Sequence, residues 1–123
     1  MKRFSYQNDQ NQALFQEMSL EKQNTFIQEL KQDYQQIILS YFATSGVKIE
    51  IEKFTDKVFS SNIPVPQVIQ IHMELIEDFS KQLKLEGRSE EILLDYRLTL
   101  IEILAHLCEI YRRHSSTYST IQH

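Results

Sequence analysis

Two glycines and two prolines are all that this chain of 123 residues has for making turns, and that shortage limits its fold more than any other feature. Gly46, Gly87, Pro64 and Pro66 cannot supply the repeated tight turns of an all-β sandwich or barrel. Helices remain. The same shortage removes glycine-rich phosphate cradles, because neither G-x-G-x-x-G nor a Walker loop can be written with Gly46 and Gly87 so far apart. The length suits one domain burying about two-thirds of its unfolded surface. With 41% hydrophobic and 24% charged residues the composition is that of an ordinary globular protein.

A net charge of -4 argues against nucleic acid, whose phosphates are neutralised by clustered Lys and Arg, and favours protein partners. Cys108 is the single cysteine, so neither an internal disulfide nor a multi-cysteine metal site can form, and a reducing cytoplasm is the expected compartment. After Met1-Lys2-Arg3 the chain turns to the run Ser5-Tyr6-Gln7-Asn8-Asp9-Gln10 rather than an apolar core, which does not read as a secretory signal. Glu102 and His106 interrupt the most apolar stretch, Leu98 to Leu107, before it could span a membrane.

Residues 1 to 18 are rich in Gln and Asn and read as a flexible leader; the expected bundle covers 19 to 114, and 115 to 123 form a polar tail. Ile27, Leu30, Tyr34, Ile37, Ile38 and Tyr41 recur at helical steps, with Ser19 as N-cap and Gly46 after the end, predicting a first helix of about 25 residues. Ile51, Phe54, Val58 and Phe59 mark a second helix, stopped at Asn62-Ile63-Pro64. Pro66 suits the first turn of a third helix carrying Val68, Ile69, Leu75, Ile76, Phe79 and Leu83, and Gly87 closes it. His72 falls within that apolar stripe and reads as a satisfied core or interface histidine. Ser89 caps a fourth helix with Glu90 and Glu91 in its first turn, running to about Arg113 with Arg112 and His114 at its negative end. The architecture is an all-α four-helix bundle.

The fourth helix carries the informative surface. Asp95, Thr99, Glu102, His106, Glu109 and Arg113 follow steps of four and three and form a narrow polar stripe. Glu102 at i−4 and Glu109 at i+3 can both reach the His106 imidazole, which reads either as a site for a peptide ligand or as incidental pairing on a solvated face. The rest of the helix, including Leu94, Leu98 and Ile101, is apolar over more of the circumference than one core covers, so a second copy is the economical partner. Arg97, among these leucines, should pair with a carboxylate or sit at the edge of the dimer contact. Chemistry has little support: Cys108 points about 200° from His106, so no local Cys-His dyad forms. A metal-dependent enzyme built on Glu102, His106 and Glu109 remains as an alternative of a different class, although this helix alone offers too few ligands for zinc.

The wording of the chain goes further than its spacing. Ile71-His72-Met73-Glu74-Leu75, the run from Glu86-Gly87-Arg88-Ser89-Glu90-Glu91 through Leu94-Asp95-Tyr96-Arg97-Leu98-Thr99-Leu100-Ile101, and Ala105-His106-Leu107-Cys108-Glu109-Ile110-Tyr111-Arg112-Arg113 closely resemble the C-terminal domain of the cyanobacterial circadian clock protein KaiA, over roughly residues 20 to 114. The resemblance implies a right-handed four-helix bundle that forms a homodimer, has no catalytic residues, metal or cofactor, and grips the C-terminal tail of the clock ATPase and kinase KaiC to stimulate its autophosphorylation. It places the position of His106 on the KaiC-contacting surface near the dimer interface, and Lys84 stands where relatives carry arginine, a change that keeps charge but weakens bidentate contact. Partner-contact expectations are therefore His106, Glu102, Glu109, Asp95, Thr99, Arg113 and Lys84; dimer-contact expectations are Arg97, Leu98, Ile101 and Leu94. Long members of the family carry a pseudo-receiver domain ahead of this bundle, which takes quinone signals and helps recruit KaiB, so the chain looks like a short form and KaiB is the second partner suggested. A helical adaptor that activates a phosphatase, like the N-terminal domain of RbsU, shares the architecture and is the alternative within binding modules.

Overall fold

The structure, a computed structural model, describes residues 14–41 and 47–122, with side chains through Ser115. A short 3-10 turn, Phe15–Glu17, precedes α1 (Leu20–Tyr41), α2 (Val47–Ser60), α3 (Val65–Leu85), the four-residue α4 (Ile92–Asp95) and α5 (Arg97–Gln122). The first three long helices and the broken fourth, α4 with α5, form an all-α four-helix bundle.

The helical periods bury the side chains they should. Leu30, Tyr34, Ile37 and Ile38 of α1, Ile51, Phe54 and Val58 of α2, Val68, Ile71 and Leu75 of α3, and Ile103 and Leu107 of α5 form one core. Ile69 is exposed instead, while Ile71, two positions on, faces inward. The Ser19 hydroxyl accepts from the Lys22 N–H at 3.2 Å, so the N-cap forms as its residue type dictates. Gly46 lies outside the described residues. At the end of α2 the stop is made by Asn62, at φ 58°, before Pro64 can act. The Ile63 N–H donates to the Val58 carbonyl at 3.0 Å and the Asn62 N–H to that of Phe59 at 3.1 Å, a left-handed closure that satisfies two orphan acceptors. Gly87, at φ 69°, closes α3 in the same way, with Arg88 bonded to Leu83 and Gly87 to Lys84.

Three expectations are corrected. Of the leader, Leu14–Met18 is tied to the bundle: the Phe15 N–H donates to the Ser61 carbonyl at 2.8 Å, Gln16 and Asn62 exchange amide hydrogen bonds, and the Phe15 ring lies 6.4 Å from that of Phe26. Residues 1–13 lie outside the described residues. The fourth helix is not continuous from Ser89. Its start tightens to three-residue bonds, Leu93 to Glu90, Leu94 to Glu91 and Thr99 to Tyr96, and breaks at Tyr96, whose ring sits edge-on to Phe79 at 5.9 Å. Beyond Arg113 the backbone remains helical to Gln122, so His114 is not at a helix end; its ring lies 4.5 Å from Phe59.

His72 is a core residue, 3% exposed, with Nδ1 2.7 Å from the Tyr34 hydroxyl and its ring edge-on to the phenol. Burial pushes the phenol well above its ordinary range and the imidazole below its own, so each group keeps its neutral form and the two share one hydrogen bond. Unpaired, either group would lose its solvation on folding without compensation.

Candidate functional site

On α5 the buried arc is Thr99, Ile103 and Leu107, with Leu100, Leu104 and Ile110 half-buried beside it. The polar stripe runs along one flank of this arc rather than over open solvent. Asp95, Glu109 and Arg113 are exposed, Glu102 and His106 are half-buried, and Thr99 is 0% exposed. Thr99 therefore departs from its expectation as a partner contact. Its side chain is buried, and its Oγ1 finds no hydrogen-bond partner among the described residues.

The two carboxylates do not hold the imidazole. Tyr41, the last residue of α1, donates its hydroxyl to Glu102 Oε1 at 2.9 Å, and that bond is the chief cause of a phenol pKa above its ordinary value. Glu109 accepts from Arg112 Nε at 3.1 Å, with Arg113 Nε at 3.9 Å, and the Arg112 hydrogen bond holds its carboxyl below the usual range. Among the described residues no hydrogen bond or ion pair joins either carboxylate to His106. Spacing allowed those pairs, but a phenol from a neighbouring helix and guanidinium groups on the next turn compete better. The chemical result is a half-buried imidazole whose flanking carboxylates are both engaged elsewhere.

Next to this flank, on the side away from the core, the bundle leaves an apolar strip in water. Leu94 is 57% exposed, Leu98 48% and Ile101 61%, and Ala105 and Cys108 continue the line at helical steps. Arg97 is also exposed, with Nε pointing back to the Leu94 carbonyl at 3.4 Å and no carboxylate within ion-pair distance among the described residues. The internal ion pair expected as one role for Arg97 is thus not made, and its place is the border of the apolar strip. Lys84 is apart from His106. It lines a groove of about 700 Å³ between α3 and the start of the fourth helix, with Met73, Ile76, Lys81, Glu90 and Leu93. Glu90 is held there by the Ser80 hydroxyl. No three His, Cys, Asp or Glu side chains come together as metal ligands among the described residues, so Glu102, His106 and Glu109 do not converge. No helix is long and apolar enough to cross a membrane among these residues.

Sequence patterning missed Tyr41 as a member of this site, because its place in the first helix's apolar stripe gave it a core role and nothing local links it to Glu102.

A helical bundle with an uncovered apolar strip and a polar flank beside it has the features of a protein-binding module. The family model described as the KaiA C-terminal domain matches residues 3–117, and the chain belongs to that family. A circadian clock oscillator protein KaiA from Nostoc sp. is 64% identical over 91 residues, covering 73% of this chain and 89% of the relative. KaiA from Acaryochloris marina is 52% identical over 103 residues, 83% of this chain but only 34% of that longer protein. In structure, the chain matches the crystal structure of the C-terminal domain of KaiA from Thermosynechococcus elongatus BP-1 with a TM-score of 0.69 at 54% identity, covering 80% of this chain and 94% of that one. The crystal structure of KaiA from strain PCC 7120 gives 0.64 at 59% identity, over 73% and 92% of the two chains. The chain is thus a circadian clock regulator of the KaiA type by family.

Proposed function

We propose that this chain acts in the cytoplasm as a homodimer that captures the C-terminal tail of KaiC and stimulates KaiC autophosphorylation, without chemistry of its own. The observation that carries the reading is the half-buried His106 imidazole, with its flanking carboxylates engaged elsewhere, beside the uncovered strip of Leu94, Leu98 and Ile101. A second copy covering the strip would bring two such flanks close together and leave a groove between them. Ring nitrogens that make no competing intramolecular bond can accept from or donate to a peptide backbone in that groove. Asp95, Glu102, Glu109 and Arg113 supply its polar border, and Lys84 extends the contact surface along α3. Family membership supports the partner, since the relatives are named as clock oscillator proteins.

Titration of a fluorescein-labelled peptide of the KaiC tail tests the site. In His106→Ala the affinity should fall about tenfold or more, the usual size for a central contact residue, while the melting temperature holds because the side chain leaves no sealed core cavity. Unchanged affinity in that variant would remove His106 from the site.

A further inference from the structure

We propose that Tyr41 is a positioning residue for the His106 face, holding the Glu102 carboxylate against α1 so that it cannot engage the imidazole and compete with the bound tail. The inference rests on His106 being a tail contact.

The argument starts from helix geometry. Glu102 and His106 are four residues apart with the acid on the N-terminal side, the order in which an acceptor carboxylate and a donor side chain pair best on one helix face. Nothing on α5 itself prevents that pair. What prevents it comes from another helix: Tyr41 ends α1, its ring packs against the core, and its hydroxyl reaches across to Glu102 Oε1 at 2.9 Å. A hydrogen bond donated to an ionised carboxylate is among the stronger neutral-to-charged contacts, and the half-buried setting of both groups keeps water from replacing it cheaply. Glu109, the other carboxylate in reach, is already held by Arg112 and Arg113. Tyr41 is therefore the group that keeps the second carboxylate off the ring. Removing its hydroxyl frees Glu102 to fold back one turn, and the incoming tail then has to displace a charge-assisted bond before it can use the imidazole.

Four variants of the full chain test this with the labelled tail peptide: Tyr41→Phe, Glu102→Gln, the two combined, and His106→Ala. Tyr41→Phe keeps the ring and its packing, and should bind about tenfold more weakly, the equivalent of one charge-assisted hydrogen bond. Glu102→Gln alone sets the reference for losing this charge from the groove's border, and its neutral amide cannot form an ion pair with the ring. The combined variant should bind like Glu102→Gln alone, because no carboxylate is left for the phenol to restrain, whereas a merely structural role for Tyr41 would add its full loss again. Without peptide, long-range 1H–15N spectra of the His106 ring should change in Tyr41→Phe and return in the combined variant. Parent-like binding by Tyr41→Phe, or a combined variant about tenfold weaker than Glu102→Gln, overturns the proposal. Parent-like binding by His106→Ala instead overturns the tail-contact reading beneath it, so the two failures are distinguishable.

Discussion

Replacing Ile101 with glutamate should separate the protein into monomers that stay helical and no longer bind the tail. Ile101 is 61% exposed in the isolated bundle, so the new carboxylate meets water rather than core and each bundle keeps its fold. In a dimer built on the Leu94, Leu98 and Ile101 strip, the same carboxylate would be buried twice around a two-fold axis, next to its own symmetry mate. A buried charge without a partner costs several kcal/mol, and about 3 kcal/mol already weakens association more than a hundredfold. Leu98→Glu should act alike. Light scattering measures the mass, circular dichroism the helicity, and peptide titration the function. Monomers that bind the tail with parental affinity would put the groove within one subunit; a variant that remains dimeric would put the dimer contact elsewhere on the bundle.

His72→Ala should lower stability by about 2 to 4 kcal/mol, a loss that combines an empty space in the core with a stranded Tyr34 hydroxyl. For a domain of this size that corresponds to a melting temperature lower by about 10 °C or more. Tyr34→Phe removes the hydroxyl alone and should cost less, and the pair of substitutions together should cost less than their sum, because the second removes a bond the first has already broken. His72 also makes the fold sensitive to mild acid. Burial lowers the His72 pKa from its ordinary 6.5, so the folded state takes up this proton less readily than the unfolded chain. Stability should therefore be level above about pH 6.5 and fall as pH drops below that value toward the lowered pKa; His72→Ala should flatten that part of the profile. Denaturant melts across pH 4 to 8 check both. A parental and a variant profile of equal slope would mean that another group carries the acid response.

The bundle was legible because its core is periodic. Leu30, Tyr34, Ile37 and Ile38 lie on one face of α1 by spacing alone, and Ser19, Pro66 and Gly87 act where their backbone chemistry is strongest. The break at Tyr96 was hidden, since no glycine or proline follows Gly87 and the interruption accompanies a ring packed on Phe79, a tertiary event. The docking of Phe15 on Ser61 was hidden for the same reason: a Gln- and Asn-rich stretch looks unstructured until the turn that receives it is in place. Within the candidate site, the polar placement of His106 and the exposed strip could be found from helical steps. Thr99 could not be separated from the polar stripe, because a threonine at the border of a core face has both a methyl and a hydroxyl to offer. Nor could spacing decide the fate of Glu102 and Glu109, whose partners, Tyr41 and Arg112, win by geometry that a wheel of one helix omits. The family was legible in the wording of the chain, and no physical pattern in it named a partner.

The most direct test of the central claim is the phosphorylation of KaiC itself. Purified KaiC and ATP should be incubated with and without this chain, and the phosphorylated fraction followed by gel electrophoresis over several hours. The account predicts a higher phosphorylated fraction when the chain is present, with the rise lost in Ile101→Glu and reduced in His106→Ala. A phosphorylated fraction no higher than that of KaiC alone, from a chain that is folded and dimeric, would contradict it.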